Sequence, residues 1–172
     1  MTASGPSPLD RKGLAAAFSA YVIWGFLPLY LILVMSVPAF EFVGWRIIWT
    51  LPLCLMIALY RRQLPELRAA LTNPGTLGLL AASAMLIAVN WVVYVWAIQN
   101  GHVYAASLGY YINPLVNVLL GTILLGERLS RPQWLAVGLA AIGVSLLAAG
   151  ALTTLWISLT LALSFGTYGL IR

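Results

Sequence analysis

The sequence predicts an all-α integral membrane protein with six transmembrane helices. Three observations carry that prediction. Hydrophobic residues make up 62% of the chain and charged ones 8%, whereas a soluble domain carries roughly 25% charged residues. The apolar residues fall into six runs, most of them close to the roughly 20 residues that cross a hydrocarbon core about 30 Å thick. The basic residues lie almost entirely in the gaps between alternate runs.

Met1 to Lys12 carry Gly5, Pro6 and Pro8 among small polar residues and end in Arg11 and Lys12. Residues 1–13 read as a disordered tail. The first span, Leu14 to Met35, exceeds a signal-peptide core and is followed by further spans, so it reads as a retained helix. It holds Tyr21, Trp24 and Pro28, and the proline frees the carbonyl of Trp24. Ser36-Val37-Pro38 is a short turn. The second span, Ala39 to Tyr60, contains Glu41 near one end and Arg46 about two turns in. Arg61, Arg62 and Arg68 follow in an expected loop closed by Asn73-Pro74-Gly75. The third span, Thr76 to Ile98, carries Asn90, Trp91, Tyr94 and Trp96. The fourth, Tyr104 to Leu125, carries Tyr110, Tyr111, Asn113, Pro114 and Asn117. The fifth, Gln133 to Ala149, is rich in Ala and Gly, which lets helix backbones approach closely and marks a packing or oligomer face. The sixth runs from Leu152 to Ile171.

Orientation follows from charge. Arg11 and Lys12 precede the first span; Arg61, Arg62 and Arg68 follow the second. Arg128 and Arg131 follow the fourth, and Arg172 the sixth. The turns after the first, third and fifth spans have no Lys or Arg. The positive-inside rule then places both ends of the chain in the cytoplasm. Basic clusters between apolar spans indicate topology and lipid contact, not nucleic acid. The one cysteine, Cys54, forms no disulfide within one copy, and one Cys with one His, His102, makes a metal site unexpected. No cofactor is expected. Motifs of metalloproteases, serine hydrolases and P-loop ATPases are absent, so the chain is not expected to be an enzyme.

The polar residues inside the spans are the candidate site. Tyr110, Asn113 and Asn117 fall within about 60° of one another on a helix of 3.6 residues per turn. Pro114 leaves the carbonyl of Tyr110 without its helical donor. An amide-bearing face with a freed carbonyl at membrane depth fits a helix lining a cavity; the alternative is that both Asn side chains only tie helices together. Arg46 costs roughly 2.5–3.5 kcal/mol near the bilayer centre on insertion scales. It faces either a substrate or, as the alternative, a structural partner such as Glu41. Tyr94 lies one turn from Asn90, so the two share a cavity with Tyr110 and Asn113. Trp24 completes the expected substrate-binding set. Trp91, Trp96 and Tyr104 fit an interfacial aromatic belt. A proton-coupling carboxylate, if any, is Glu41. Aromatic faces beside amides suit a small, partly apolar solute.

Several stretches carry a resemblance. Ala106-Ser107-Leu108-Gly109-Tyr110-Tyr111-Ile112-Asn113-Pro114-Leu115-Val116-Asn117, then Leu125-Gly126-Glu127-Arg128-Leu129-Ser130, resembles the RarD group of EamA-type transporters in the drug/metabolite transporter superfamily. Asn90-Trp91-x-x-Tyr94-x-Trp96-Ala97 and Ser164-Phe165-Gly166-Thr167-Tyr168-Gly169 support the same match. The resemblance implies ten helices in two inverted five-helix repeats around a central cavity. Residues 14–150 would be one repeat and 151–172 the first helix of a second, truncated repeat, the rest being expected in a full-length chain. Tyr21-x-x-Trp24-Gly25 and Phe165-x-x-Tyr168-Gly169 are a faint internal echo of that arrangement. The implied protein is a bacterial inner-membrane permease or exporter working by alternating access, with bent first and fourth spans as gates. Its partners would be the bilayer and a small solute, partly apolar or amino-acid-like. Gly44-Trp45-Arg46 departs from the group, where a His often precedes the Arg. The competing reading is a non-transporting membrane scaffold or partner subunit.

Overall fold

The computed structural model of the chain describes residues 11–171. The expected tail up to Asp10, and Arg172, lie outside the described residues. Seven α-helices are present among the described residues, and six of them are long and apolar enough to cross a membrane. The chain divides into two compact units, one ending at Met35 and the other starting at Ser36.

The first unit contains α1, Arg11–Leu33. Arg11 to Gly13, which the sequence assigns to the tail, are already helical; Arg and Lys are good helix formers. The helix continues through Pro28. Apolar residues such as Phe18, Ile23 and Phe26 are exposed on it, as befits a helix that is apolar all round and solvated by lipid.

The second unit holds α2 (Ala39–Tyr60), α3 (Leu64–Thr72), α4 (Pro74–Gln99), α5 (Val103–Leu124), α6 (Arg131–Ala149) and α7 (Leu155–Ile171), the last entered by a 3₁₀ turn at Leu152–Thr154. Their ends follow from local chemistry. Pro38 precedes α2, and its carbonyl accepts from the N–H of Phe42 at 2.9 Å. Asn73 Oδ1 accepts from the N–H groups of Gly75 and Thr76, at 3.0 and 3.1 Å, and caps α4. The N–H of Ser130 donates to Gln133 Oε1 at 2.7 Å where α6 begins. Gly101, at φ +77°, turns the chain between α4 and α5.

The segment with Arg61, Arg62 and Arg68 is not wholly loop. Pro65 in the first turn, Glu66 beside the helix N-terminus, and Leu64, Leu67 and Leu71 at i, i+3 and i+7 give the short amphipathic α3. It packs on α4.

The helices lie side by side in the order α2, α4, α7, α5, α6, with α4 also touching α5. The most extensive pairing is α5 with α7. Leu108, Ile112 and Val116 from α5 form a core with Ala162 of α7 and Ala151. Two polar contacts fix α7 in depth. Ser158 Oγ donates to the carbonyl of Ala105 on α5 at 2.7 Å. Asn90 Nδ2 on α4 donates to the carbonyl of Leu161 and to Ser164 Oγ, both at 2.9 Å. In an apolar medium such groups have no water to fall back on, and each interhelical bond contributes about 0.6 to 2 kcal/mol. Close approach is the other requirement. A Cβ on Gly109 would lie 2.9 Å from Leu161 Cβ and 3.0 Å from the carbonyl oxygen of Ser158.

The small-residue face of α6 buries no residue against the described part of the chain. The helix is held through Val144 and Ala148 against the α5 core, and through Tyr104 Oη, which donates to the carbonyl of Leu147 at 2.9 Å.

Gly109→Ala must therefore push α5 from α7, and overpacking of this kind costs about 1–3 kcal/mol. Gly143→Ala, where an added Cβ meets no described atom within 4 Å, serves as the comparison. Thermal unfolding of the full-length protein in detergent should show the first variant melting several degrees lower and the second within error of the parent.

Candidate functional site

On α2, Val43, Ile47 and Leu51 form one row at four-residue spacing, and Arg46, Thr50 and Cys54 form the next. Both rows look toward α4, where Ala84, Ile87, Ala88 and Trp91 recur at three- and four-residue spacing. A cleft of about 310 Å³ lies between the two helices. At its end the guanidinium carbon of Arg46 lies 3.5 Å from the centroid of the Trp91 ring. This is a cation–π contact, with a strength of about 0.5–2 kcal/mol depending on desolvation. Among the described residues no carboxylate lies within ion-pair distance of Arg46. Glu41 is exposed in the first turn of α2, where the helix dipole favours its charge.

The aromatic contact continues across the helices. Trp91 meets Tyr94 edge to face, with centroids 6.1 Å apart and planes at 78°. Tyr94 meets Tyr110 of α5 in the same manner, at 5.7 Å and 77°. Such edge-to-face pairs contribute about 0.5–1.5 kcal/mol beyond area burial. Tyr94 is buried and Tyr110 is 40% exposed, so the tyrosine on α5 is the one that presents surface. One turn further on, Asn113 Oδ1 is buried with no hydrogen-bond partner among the described residues. Such an acceptor costs about 1–3 kcal/mol. Asn117 lines a second cavity of about 220 Å³ with Gly121, Glu127, Gly166 and Gly169. There the Glu127 side chain rests on Gly121, close enough that a Cβ would come within 2.7 Å of Oε2.

The structure thus brings Arg46, Tyr94 and Tyr110 into one connected array, with Asn113 and Asn117 further along the same α5 face. It does not bring Asn90 into that array. Both hydrogens of that amide go to α7, so Asn90 shares a helix with Tyr94 but not its surroundings. Trp24 lies on α1 in the first unit, 59% exposed, beside Tyr21 in a shallow hollow of α1 itself.

Two residues of the array and the cleft beside it go beyond what the sequence leads one to expect. Trp91, which the sequence places in an interfacial belt, lies against Arg46; its position three residues before Tyr94 is the available signal. Cys54 was read only as a thiol within a span, although two turns of four-residue spacing connect it to Arg46. The Trp96 ring packs on His102 at 5.5 Å and on Trp156 at 5.6 Å. Among the described residues no group of His, Cys, Asp and Glu has a metal-binding arrangement.

The EamA-like transporter family matches residues 11–149. The chain is similar to an uncharacterized transporter of Pseudomonas aeruginosa, with 48% identity over 94% of this chain and 54% of the relative. It is similar to protein RarD of Streptomyces exfoliatus, 47% identical over 95% of this chain and 52% of that protein. Protein RarD of Escherichia coli is 46% identical over 94% and 55% respectively. The chain therefore spans about half the length of the curated relatives it matches. No solved structure matches it.

The two amides on the facing helices should respond in opposite ways to removal. Asn90→Ala removes both interhelical hydrogen bonds that α4 makes to the Leu161 carbonyl and Ser164 Oγ and should lower stability by about 1–2 kcal/mol. Asn113→Leu removes an unsatisfied acceptor and should be neutral or stabilising. Thermal unfolding of the two variants in detergent checks both signs.

Proposed function

The chain belongs to the EamA-like transporter family, and on that premise we propose that it is the N-terminal part of a multi-pass permease or exporter of small metabolites or drugs. The protein lies in a bacterial inner membrane with its N-terminus in the cytoplasm, and α7 opens a second repeat completed in the full-length chain. Solute passes by alternating access as one repeat rocks against the other.

The observation that carries this reading is the array from Arg46 through Trp91 and Tyr94 to Tyr110. A helix bundle needing only cohesion would pair or discard an arginine inside a span. Here the guanidinium has an indole ring and no counter-ion among the described residues, and the row of rings ends on a half-exposed tyrosine near an unsatisfied amide oxygen. Fixed aromatic edges and a few polar atoms suit a solute held by stacking and hydrogen bonds. Arg46, Tyr94, Tyr110, Asn113 and Asn117 carry the binding role, and Trp91 positions Arg46. Asn90 acts one step back by holding α4 to α7. Glu41, in the first turn of α2, is the candidate coupling carboxylate if transport is proton-driven.

The test is export by the full-length protein. Cells lacking their main efflux pumps are profiled by mass spectrometry with and without the protein, which identifies the solutes whose release depends on it. Arg46→Ala and Tyr110→Ala should each cut that release by about tenfold or more, the effect of losing roughly 1.4 kcal/mol of binding, with unchanged protein in the membrane fraction. Undiminished release from both variants would remove the site assignment.

A further inference from the structure

Arg46 has more electrostatic capacity than its described surroundings use. Its placement in a span costs roughly 2.5–3.5 kcal/mol, and the contact with Trp91 returns only part of that, about 0.5–2 kcal/mol. The indole covers the flat face of the guanidinium and leaves in-plane N–H donors for an anion. Running away from that cation is the α2–α4 cleft, whose walls are almost wholly apolar: Ile47, Leu51, Ala84 and Ile87, with Cys54 toward the far end. Thr50 is the other polar group, and its hydroxyl donates to the carbonyl of Arg46 at 2.6 Å.

We propose that this cleft binds an amphipathic organic monocarboxylate, its carboxylate on Arg46 and its apolar body along Ile47, Leu51 and Ile87 toward Cys54. The proposal rests on the transporter reading and narrows its substrate class. A zwitterionic amino acid fits less well, because among the described residues no acidic side chain lines the cleft and an ammonium stripped of water there has no carboxylate to pair with. A phospholipid headgroup fits less well on depth. The 22 residues of α2 span about 33 Å at 1.5 Å per residue, close to the full hydrocarbon thickness. Arg46 is seven residues in, about 10 Å below the end of the helix. A bilayer lipid would have to draw its headgroup that far into the core, whereas a free solute carries its carboxylate there directly.

Cys54 makes the cleft testable without introducing a label site. The full-length protein in phosphatidylcholine nanodiscs is alkylated with N-ethylmaleimide, and modification is followed on the Cys54 peptide by mass spectrometry. 4-Phenylbutyrate at about ten times its dissociation constant should slow alkylation about tenfold by mass action. Phenylalanine and 4-phenylbutan-1-ol, at the same concentration, should not. Arg46→Gln should abolish the protection, read as the ratio of alkylation rates without and with 4-phenylbutyrate in that same variant, and Arg46→Lys should keep part of it. No slowing, equal slowing by the alcohol or by phenylalanine, or equal slowing on adding phosphatidylglycerol alone would each overturn the proposal. The comparison of the three probes on the parent protein decides the matter even if an Arg46 variant fails to fold. Protection reads binding and not export. Loss of solute release in Tyr110→Ala with no protection at Cys54 would end the cleft assignment and keep the transporter reading. Protection without any protein-dependent release would do the reverse.

Discussion

The two hydrogen bonds from Asn90 to α7 are the constraint on which the second unit depends. They fix the height of α7 against α4, and the Ser158 bond to Ala105 fixes it against α5. Only with α7 seated in this way do α4 and α5 hold the spacing at which Tyr94 meets Tyr110 edge to face. Trp91 is carried on the same helix as Asn90, one residue along, so the ring under Arg46 inherits its position from the same clamp. A site that is largely aromatic, and so tolerant in its own contacts, is placed by a polar contact that is not.

The asparagines on α4 and α5 therefore divide two tasks that sequence makes look alike. Asn90 has both hydrogens engaged and is 2% exposed. Asn113 keeps a buried oxygen without a partner among the described residues. In water the difference would be slight. Within a bilayer core an amide with a partner contributes to helix association, and one without is a standing cost of order 1–3 kcal/mol. Proteins keep such costs where another requirement outweighs them. Arg46 tells the same story with a larger charge, since a single indole face returns less than the burial of a guanidinium demands.

The spans themselves were legible because hydrocarbon thickness dictates run length, and all six expected runs are helices with ends within a few residues of those read from sequence. The short α3 was missed because three arginines dominate the reading of residues 61–73, while the leucines that make it amphipathic are spread at i, i+3 and i+7. At the site, periodicity correctly grouped Tyr110, Asn113 and Asn117 on one face, as any single-helix relation can. It failed for Asn90 and Trp91 because their partners are set by other helices. Leu161 and Ser164 lie 71 and 74 residues beyond Asn90, and Arg46 lies 45 residues before Trp91. The local pattern is ambiguous between them: Asn90 and Trp91 stand four and three residues before Tyr94, both within one turn of it, and only contacts from other helices assign one to structure and the other to the site.

That same sequence distance has a consequence for how the chain is made. Asn90 enters the membrane well before Leu161 has been synthesised, since chains emerge at roughly 5–20 residues per second. For several seconds α4 and α5 stand as a hairpin, joined by the tight turn at Gly101, with an open seat between them and an amide whose hydrogens have no permanent acceptor. The Gln99 side chain, which donates to the carbonyl of Val37 at 2.9 Å, can already tie that hairpin to the turn before α2. The seat is thus assembled from segments made early and is completed by one made late. A pause in translation between α5 and α7 would prolong the exposure of the Asn90 amide to lipid, and membrane quality control would meet this protein at that stage.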